Sequence, residues 1–96
     1  MKGYWIILGA EVTDVEAQQE YGRLWQPIGQ KYNARVKVLD SEFLKESWGA
    51  SRVLVVEFDS LALAKACYDD PAYVQAKACA VRASRRQLII IEGDLS

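Results

Sequence analysis

Two tyrosines and an arginine in the second half of the chain are the residues whose types and spacing best suit ligand chemistry. Tyr68 precedes an Asp-Asp-Pro break, Tyr73 follows it, and Arg82 lies nine positions after Tyr73. An arginine supplies a fixed fork of N–H donors, and a tyrosine supplies a hydroxyl and an aromatic wall. Together they could bind an anionic or carbonyl-bearing small molecule. The alternative is that the tyrosines pack the helix break and that Arg82 pairs with an acidic side chain.

Three further residues could complete such a site. Tyr21 and Trp25 lie on one apolar stripe of a predicted first helix and could line a pocket between that helix and a sheet, although such a stripe more often forms plain core. Glu57 lies near the end of an otherwise apolar strand, so it is either solvated or buried and paired. A buried carboxylate can have a raised pKa suited to proton transfer, which makes Glu57 the one weak catalytic candidate.

The absence of histidine excludes much familiar chemistry. It removes the Ser–His and Cys–His nucleophile pairs and the usual proximal ligand of haem. The two cysteines, Cys67 and Cys79, do not make an ordinary zinc site without histidine, and we predict that they are small buried thiols. We therefore expect no metal and no cofactor.

Length, charge and hydropathy predict one domain, residues 1–96, in the cytoplasm. The chain carries 12 basic and 13 acidic residues, a net charge of −1, which argues against nucleic acid as a partner. No run reaches the roughly 20 apolar residues of a membrane span. Lys2-Gly3 leads straight into a short strand, so we expect neither a signal peptide nor a membrane contact.

The apolar pattern predicts the element order β-α-β-β-α-β. The strands are expected over 3–12, 34–39, 52–58 and 87–92, and the helices over 13–33, 60–69 and 70–84, with the break at Asp69-Asp70-Pro71. Thr13 and Glu16 have the spacing of a capping box. Pro27 is expected to kink the first helix, or to end its regular part, near Gln26. The stretch 40–51 is expected to form an extended arm or hairpin, with Trp48 as an anchor.

Three of the predicted strands, 4–8, 53–56 and 88–91, are apolar on both faces. Two helical regions cover one face of a sheet, and an exposed apolar face marks an interaction site. We therefore expect a homodimer through sheet-to-sheet packing. The predicted fold is α+β, a ferredoxin-like sandwich with a four-stranded antiparallel sheet whose first and third strands are central, pairing as a dimeric α/β barrel.

Several segments of the chain have a recognisable spacing. They are Lys2–Ile6, Ser60–Tyr68, the run Asp70-Pro71-Ala72-Tyr73, Arg82, and Ile91–Gly93. This set resembles the uncharacterised domain-of-unknown-function family 1330 over nearly the whole chain, apart from Leu39-Asp40, which stands where that family has a glycine-rich turn. The resemblance implies the dimeric α/β barrel fold. That group includes cofactor-free monooxygenases, lactone isomerases, haem enzymes and proteins with no known activity, so the fold does not transfer a function.

The sequence leaves three functions open. The first is a dimer that binds a small organic molecule in a pocket between the helices and the sheet. The second is a non-enzymatic structural or regulatory dimer whose core is filled. The third is a cofactor-free monooxygenase or isomerase. An apolar cavity with a few polar groups would favour binding over the filled module.

Overall fold

The computed structural model describes residues 1–39, 45–46 and 49–94. Its elements are β1 (Lys2–Gly9), α1 (Val15–Lys31), β2 (Arg35–Leu39), β3 (Arg52–Phe58), α2 (Leu61–Asp69), α3 (Pro71–Ala83) and β4 (Arg86–Gly93). The predicted order is confirmed, with the second helical region divided into α2 and α3. The expected arm over 40–51 and its Trp48 anchor lie largely outside the described residues.

The four strands form one antiparallel sheet in the order β2-β3-β1-β4. The first and third strands are central, as the sequence predicts. Trp5 of β1 pairs with Val56 of β3 on one side and with Ile90 of β4 on the other. Because side chains alternate along a strand, this register assigns every strand residue to one of two faces.

The helix face of the sheet, defined by Trp5, Ile7, Val56 and Phe58, lies under the helices. All four side chains are buried. The Trp5 Nε1–H donates to the Ala64 carbonyl in α2 at 2.9 Å, so the Trp5 side chain points toward the helices. Trp5 therefore fills the core beneath its own helices and does not lie at an interface between copies.

Trp5 is the centre of an aromatic cluster. Its ring centroid lies 5.2 to 5.8 Å from four other rings, those of Trp25, Phe58, Tyr68 and Tyr73. Tilted and edge-to-face pairs at such distances stabilise a core beyond the area that they bury. The cluster joins all three helices to β1 and β3, so it positions whatever lies between α1 and the sheet.

The open face of the sheet carries Ile6, Leu8, Val53, Val55, Ile89 and Ile91. No helix of the described part of the chain covers it, and Ile89 is 53% exposed. This arrangement of an apolar second face is the one that the two-faced strand pattern predicts. No helix within the described residues is long and apolar enough to cross a membrane.

The start of α1 differs from the sequence prediction. Asp14 is the N-cap residue, and its carboxylate accepts a hydrogen bond from the Ala17 backbone N–H at 3.0 Å. Thr13 does not form a capping box, because its backbone N–H and its hydroxyl both donate to the Ala83 carbonyl at the end of α3. The first turn of α1 is thereby attached to the last turn of α3.

Pro27 lies inside α1, which continues to Lys31, so of the two alternatives expected there, a kink or an end near Gln26, the end is wrong. A proline here removes the hydrogen bond to the carbonyl of Arg23. Pro27 and Arg23 are both exposed, so water can satisfy that carbonyl. Asn33 then ends the helical segment with a positive φ of 52°, a conformation that asparagine tolerates.

The junction between α2 and α3 confirms the predicted break. Asp70 is the N-cap of α3, with Pro71 at its first position, and the Asp70 carboxylate accepts from the Ala72 N–H at 2.8 Å. The same carboxylate accepts from Tyr32 Oη at 2.6 Å and from Lys31 Nζ at 2.9 Å. These hydrogen bonds lower the pKa of Asp70, with that from Tyr32 contributing most.

Candidate functional site

A cavity of about 110 Å³ lies between α1, the end of α3 and the helix face of the sheet. Its apolar wall is formed by Ile7, Trp25, Val36, Leu54, Val56 and Ala80. Its polar groups come from Gln18, Tyr21, Arg52, Ser84 and Arg86. The cavity is smaller than typical pockets for drug-sized ligands, which begin at about 300 Å³. Val36, on the edge strand, is 49% exposed and marks the mouth.

Tyr21 and Trp25 form the helical wall of the cavity because they are one turn apart on α1. Their rings are nearly parallel, with an interplanar angle of 5° and centroids 6.5 Å apart. Gly29 supports this arrangement one turn further on, since a Cβ there would lie 3.2 Å from the Trp25 ring. Tyr21 and Trp25 therefore line a pocket between α1 and the sheet, as the aromatic stripe in the sequence suggests.

Tyr73 lies directly behind the cavity and is fully buried. Its hydroxyl oxygen is 3.1 Å from the Tyr21 hydroxyl and accepts a hydrogen bond from Arg86 Nη2 at 2.7 Å. The Arg86 guanidinium also lies 5.2 Å from the centroid of the Tyr21 ring, in cation–π range. Three side chains from α1, α3 and β4 thus form one connected polar group at the cavity wall.

Arg52 enters the cavity from the first residue of β3. Its Nε donates to the Ala10 carbonyl at 3.2 Å, and its Nη2 donates to Ser84 Oγ at 2.9 Å. Ser84 is itself buried at the end of α3. Arg52 therefore fixes the start of β3 against the α3 terminus and leaves other N–H donors of its guanidinium directed elsewhere.

Tyr68 lies in the core and not in the cavity wall. Its ring meets Trp5 edge-on at 5.8 Å and lies 5.5 Å from the Tyr73 ring. The Lys77 ammonium lies 4.8 Å from the Tyr68 ring centroid on the outer side. Of the four aromatic residues suggested by the sequence, the structure places Tyr21 and Trp25 in the cavity wall and Tyr73 and Tyr68 behind it.

Arg82 does not line the cavity. It lies nine positions after Tyr73 in the same helix, and at 3.6 residues per turn this separation is two and a half turns. Tyr73 faces the core, so Arg82 is on the opposite, exposed side, where its Nη2 lies 3.8 Å from Cys79 Sγ. The arginines that do line the cavity are Arg52 and Arg86, which the sequence analysis did not identify. Both are in phase with apolar residues of the helix face, but the sequence does not say which face the helices cover.

Glu57 lies on the open face, on the other side of the sheet from the cavity. Its side chain is only 5% exposed and is surrounded by cations. Arg35 Nε lies 2.7 Å and Lys2 Nζ 3.4 Å from Oε1, and Lys37 Nζ lies 3.7 Å from Oε2. The hydrogen bond from Arg35 is the main cause of a lowered pKa, which is opposite to the raised pKa that a proton carrier would need.

Glu57→Gln is expected to lower the melting temperature at pH 7 but not at strongly acidic pH. The folded-state pKa of Glu57 lies below the ordinary value of 4.5, so its ionised form stabilises the fold above that value. This contribution is lost as the pH falls through the lowered pKa. Thermal unfolding of both proteins from neutral to acidic pH measures the difference. Glu11→Gln, at an exposed position, is the control for the loss of one charge, and a gap that persists unchanged in strong acid would contradict the assignment.

Few groups at the site suit proton or covalent chemistry. Burial raises the pKa of the Tyr73 phenol, so it remains protonated. The predicted buried thiols are confirmed, since Cys67 and Cys79 are both free and buried, and burial raises the pKa of Cys67 to about 12. No group of three potential metal ligands occurs among the described residues.

Three solved structures of other proteins share this fold. A protein of unknown function from Rhodopseudomonas palustris is 18% identical, with a TM-score of 0.71 over 99% of this chain and 84% of that chain. A dimeric ferredoxin-like protein of unknown function from Jannaschia sp. CCS1 is 12% identical, with a TM-score of 0.73 over 97% and 100%. SnoaB, a cofactor-independent oxygenase from Streptomyces nogalater, is 10% identical, with a TM-score of 0.71 over 99% and 95%. The chain therefore has the ferredoxin-like α+β fold.

The family assignment comes from the sequence. Residues 2–94 match the family described as Domain of unknown function (DUF1330), and the chain belongs to that family. The resemblance noted from the sequence is thus confirmed. No curated protein matches the chain in sequence. The family has no assigned function, and the solved structures similar to this chain include proteins of unknown function and a cofactor-independent oxygenase.

Proposed function

We propose that the protein binds a small organic molecule in the cavity between α1 and the sheet. The observation that carries this proposal is the cavity itself, about 110 Å³ with a largely apolar wall and a few convergent polar groups. Small-molecule sites have this composition, whereas a purely structural module has no need for an unfilled space beside its core. An engineered apolar cavity of about 150 Å³ accepts benzene, so the ligand here is about the size of one ring or smaller.

In this proposal Tyr21 and Trp25 are the walls of the binding site, and Tyr73 orients Tyr21 from behind. Arg52 and Arg86 are the polar anchors, the role that the sequence suggested for Arg82. Their support is direct, because both arginines line the cavity. Tyr68 contributes to the core behind the site, and Glu57 has no part in it, because it lies on the other face of the sheet.

We also propose that two copies of the chain pack through their open faces. Ile6, Leu8, Val53, Val55 and Ile91 are half-buried and Ile89 is exposed, and all are apolar. A contiguous apolar face of this kind is rare on a monomer and common at interfaces between subunits. The structural neighbour from Jannaschia sp. CCS1 is described as dimeric, which supports a second copy as the partner.

Val36→Trp is expected to block the cavity and weaken ligand binding by at least tenfold. Val36 lies at the mouth and is 49% exposed, so an indole there covers the opening without disturbing the core. Ligand-observed NMR with a set of one-ring compounds, both charged and neutral, measures binding to the wild type and the variant.

Val38→Trp is the matched control for this experiment. Val38 is on the same strand and the same face, two residues away and 77% exposed, but it does not line the cavity. It is expected to retain wild-type binding. If no compound of any charge binds the wild type, or if Val36→Trp binds as the wild type does, the proposed function is wrong.

A further inference from the structure

Arg52, Gly9 and Arg86 form a row across three adjacent strands. Gly9 of β1 pairs with Arg52 of β3 on one side and with Arg86 of β4 on the other. Partners in register share a face, so both arginines start from the helix face, with their Cα atoms about two strand spacings, roughly 10 Å, apart. Both line the cavity. The cavity therefore has two cationic side chains with a glycine between them.

Gly9 provides the space that this row needs. A Cβ at position 9 would lie 2.6 Å from Arg52 Nη2 and 3.1 Å from Arg52 Cζ. Any other residue would therefore displace the Arg52 guanidinium from its place above the β1 backbone. Because Gly9 has no side chain, the Arg52 guanidinium can pack directly on the backbone of β1.

The hydrogen-bond partners of both guanidiniums are neutral. Arg52 donates to the Ala10 carbonyl and the Ser84 hydroxyl, and Arg86 donates to the Tyr73 hydroxyl. Each guanidinium has five N–H donors, so most of them are not used by these bonds. Fixed neutral partners position the two cations without neutralising them.

No carboxylate of the described segments, 1–39, 45–46 and 49–94, pairs with Arg52 or Arg86. The ion pairs of these segments involve other cations. Both arginines are half-buried, and a charge withdrawn from water is costly unless a counter-charge accompanies it. A ligand that carries a negative charge would supply what the protein does not.

The hydroxyl groups beside the arginines also present donors to the cavity. Tyr73 Oη accepts from Arg86 Nη2 and shares a hydrogen bond with Tyr21 Oη, 3.1 Å away, in which either hydroxyl can be the donor. Tyr21 lines the cavity, so its hydroxyl can donate to a ligand there when Tyr73 is the donor of their shared hydrogen bond. The polar part of the site therefore consists mainly of N–H and O–H donors, which suits an acceptor-only group such as a carboxylate.

We infer that the ligand is a small organic carboxylate, with its charged group between the Arg52 and Arg86 guanidiniums and its apolar part against Trp25 and Ile7. This inference rests on the proposed small-molecule function and specifies its ligand class. The volume limits the apolar part to a short chain or one ring that reaches the mouth at Val36.

The test compares benzoate with benzamide, a neutral molecule of nearly the same shape, by NMR titration of the purified full-length protein at constant ionic strength. Benzoate is expected to bind the wild type at least tenfold more tightly than benzamide. Arg52→Gln and Arg86→Gln are each expected to weaken benzoate binding by about ten- to a hundredfold, the range for a lost hydrogen bond to a charged group, and to leave benzamide binding nearly unchanged.

Two further variants separate a local role from net charge. Arg82→Gln removes the same charge on the exposed side of α3 and is expected to bind benzoate as the wild type does. Gly9→Ala keeps every charge but displaces the Arg52 guanidinium, and is expected to weaken benzoate binding as Arg52→Gln does. If Arg86→Gln fails to fold, the Arg52 and Gly9 variants test the inference without it.

The outcomes are distinct. Equal binding of benzoate and benzamide overturns the carboxylate inference and leaves the small-molecule function standing. If Arg82→Gln and Arg52→Gln weaken benzoate binding equally, the carboxylate inference is also overturned, because the effect would then come from net charge. Absence of binding by either compound, and by every one-ring compound tested against Val36→Trp, overturns the proposed function together with the inference.

Discussion

Trp5→Ala is expected to lower the free energy of unfolding by about 3–5 kcal/mol, a large part of the roughly 5–15 kcal/mol that stabilises a domain. Trp5 is fully buried and contacts four aromatic rings from α1, α2, α3 and β3. Its removal leaves a large cavity and deletes the hydrogen bond from Nε1 to the Ala64 carbonyl. Urea unfolding followed by circular dichroism, at one fixed protein concentration, measures the loss.

Trp5→Phe is the matched variant for this prediction. It retains an aromatic ring in the cluster and removes the 2.9 Å hydrogen bond from Nε1 to the Ala64 carbonyl. Its cost is expected to be about 1–2 kcal/mol, from that hydrogen bond and a smaller cavity. A loss below about 1 kcal/mol for Trp5→Ala would contradict the placement of this residue at the centre of the core.

Ile6→Asp is expected to convert a homodimer into monomers. Ile6 lies on the central strand β1, in the middle of the open face. If two open faces pack together, each copy buries an unpaired carboxylate, at a cost of several kcal/mol per group. The dissociation constant should therefore rise by about a thousandfold or more. Sedimentation at micromolar concentration measures it.

The control for this experiment is Val74→Asp, which introduces the same charge on the exposed side of α3, where Val74 is 65% exposed. It is expected to leave the dimer intact. A wild type that sediments as a monomer, or an Ile6→Asp variant that remains as dimeric as the Val74→Asp control, would overturn the proposal that open faces pack together.

Local signals determined most of the fold. The Asp70-Pro71 pair predicts the break between α2 and α3, because an aspartate cap followed by proline opens a helix. Pro27 has the opposite outcome: a proline removes one hydrogen bond, but packing of the α1 stripe on the core keeps the helix continuous to Lys31. The capping box predicted at Thr13 is wrong because the Thr13 hydroxyl donates to the Ala83 carbonyl, 70 positions away in sequence.

The candidate site was less predictable, for a physical reason. When both faces of a strand are apolar, the alternation of side chains shows which residues share a face. It does not show which of the two faces the helices cover. Glu57 and Arg86 are therefore ambiguous in the sequence, although the structure separates them to opposite faces of the sheet. Arg82 was different, since its helical phase relative to Tyr73 already places it on the outer side of α3.

Asp70 has a consequence for how the molecule opens. Its carboxylate caps the first turn of α3 and also accepts hydrogen bonds from Lys31 and Tyr32 at the end of α1. Fraying of either helix end breaks the hydrogen bonds that Lys31 and Tyr32 donate to Asp70. We therefore expect local unfolding of these two ends to be coupled. The Asp70 carboxylate thus links the C-terminal end of α1 to the junction of α2 and α3. This link lies at the opposite end of α1 from its N-cap, Asp14.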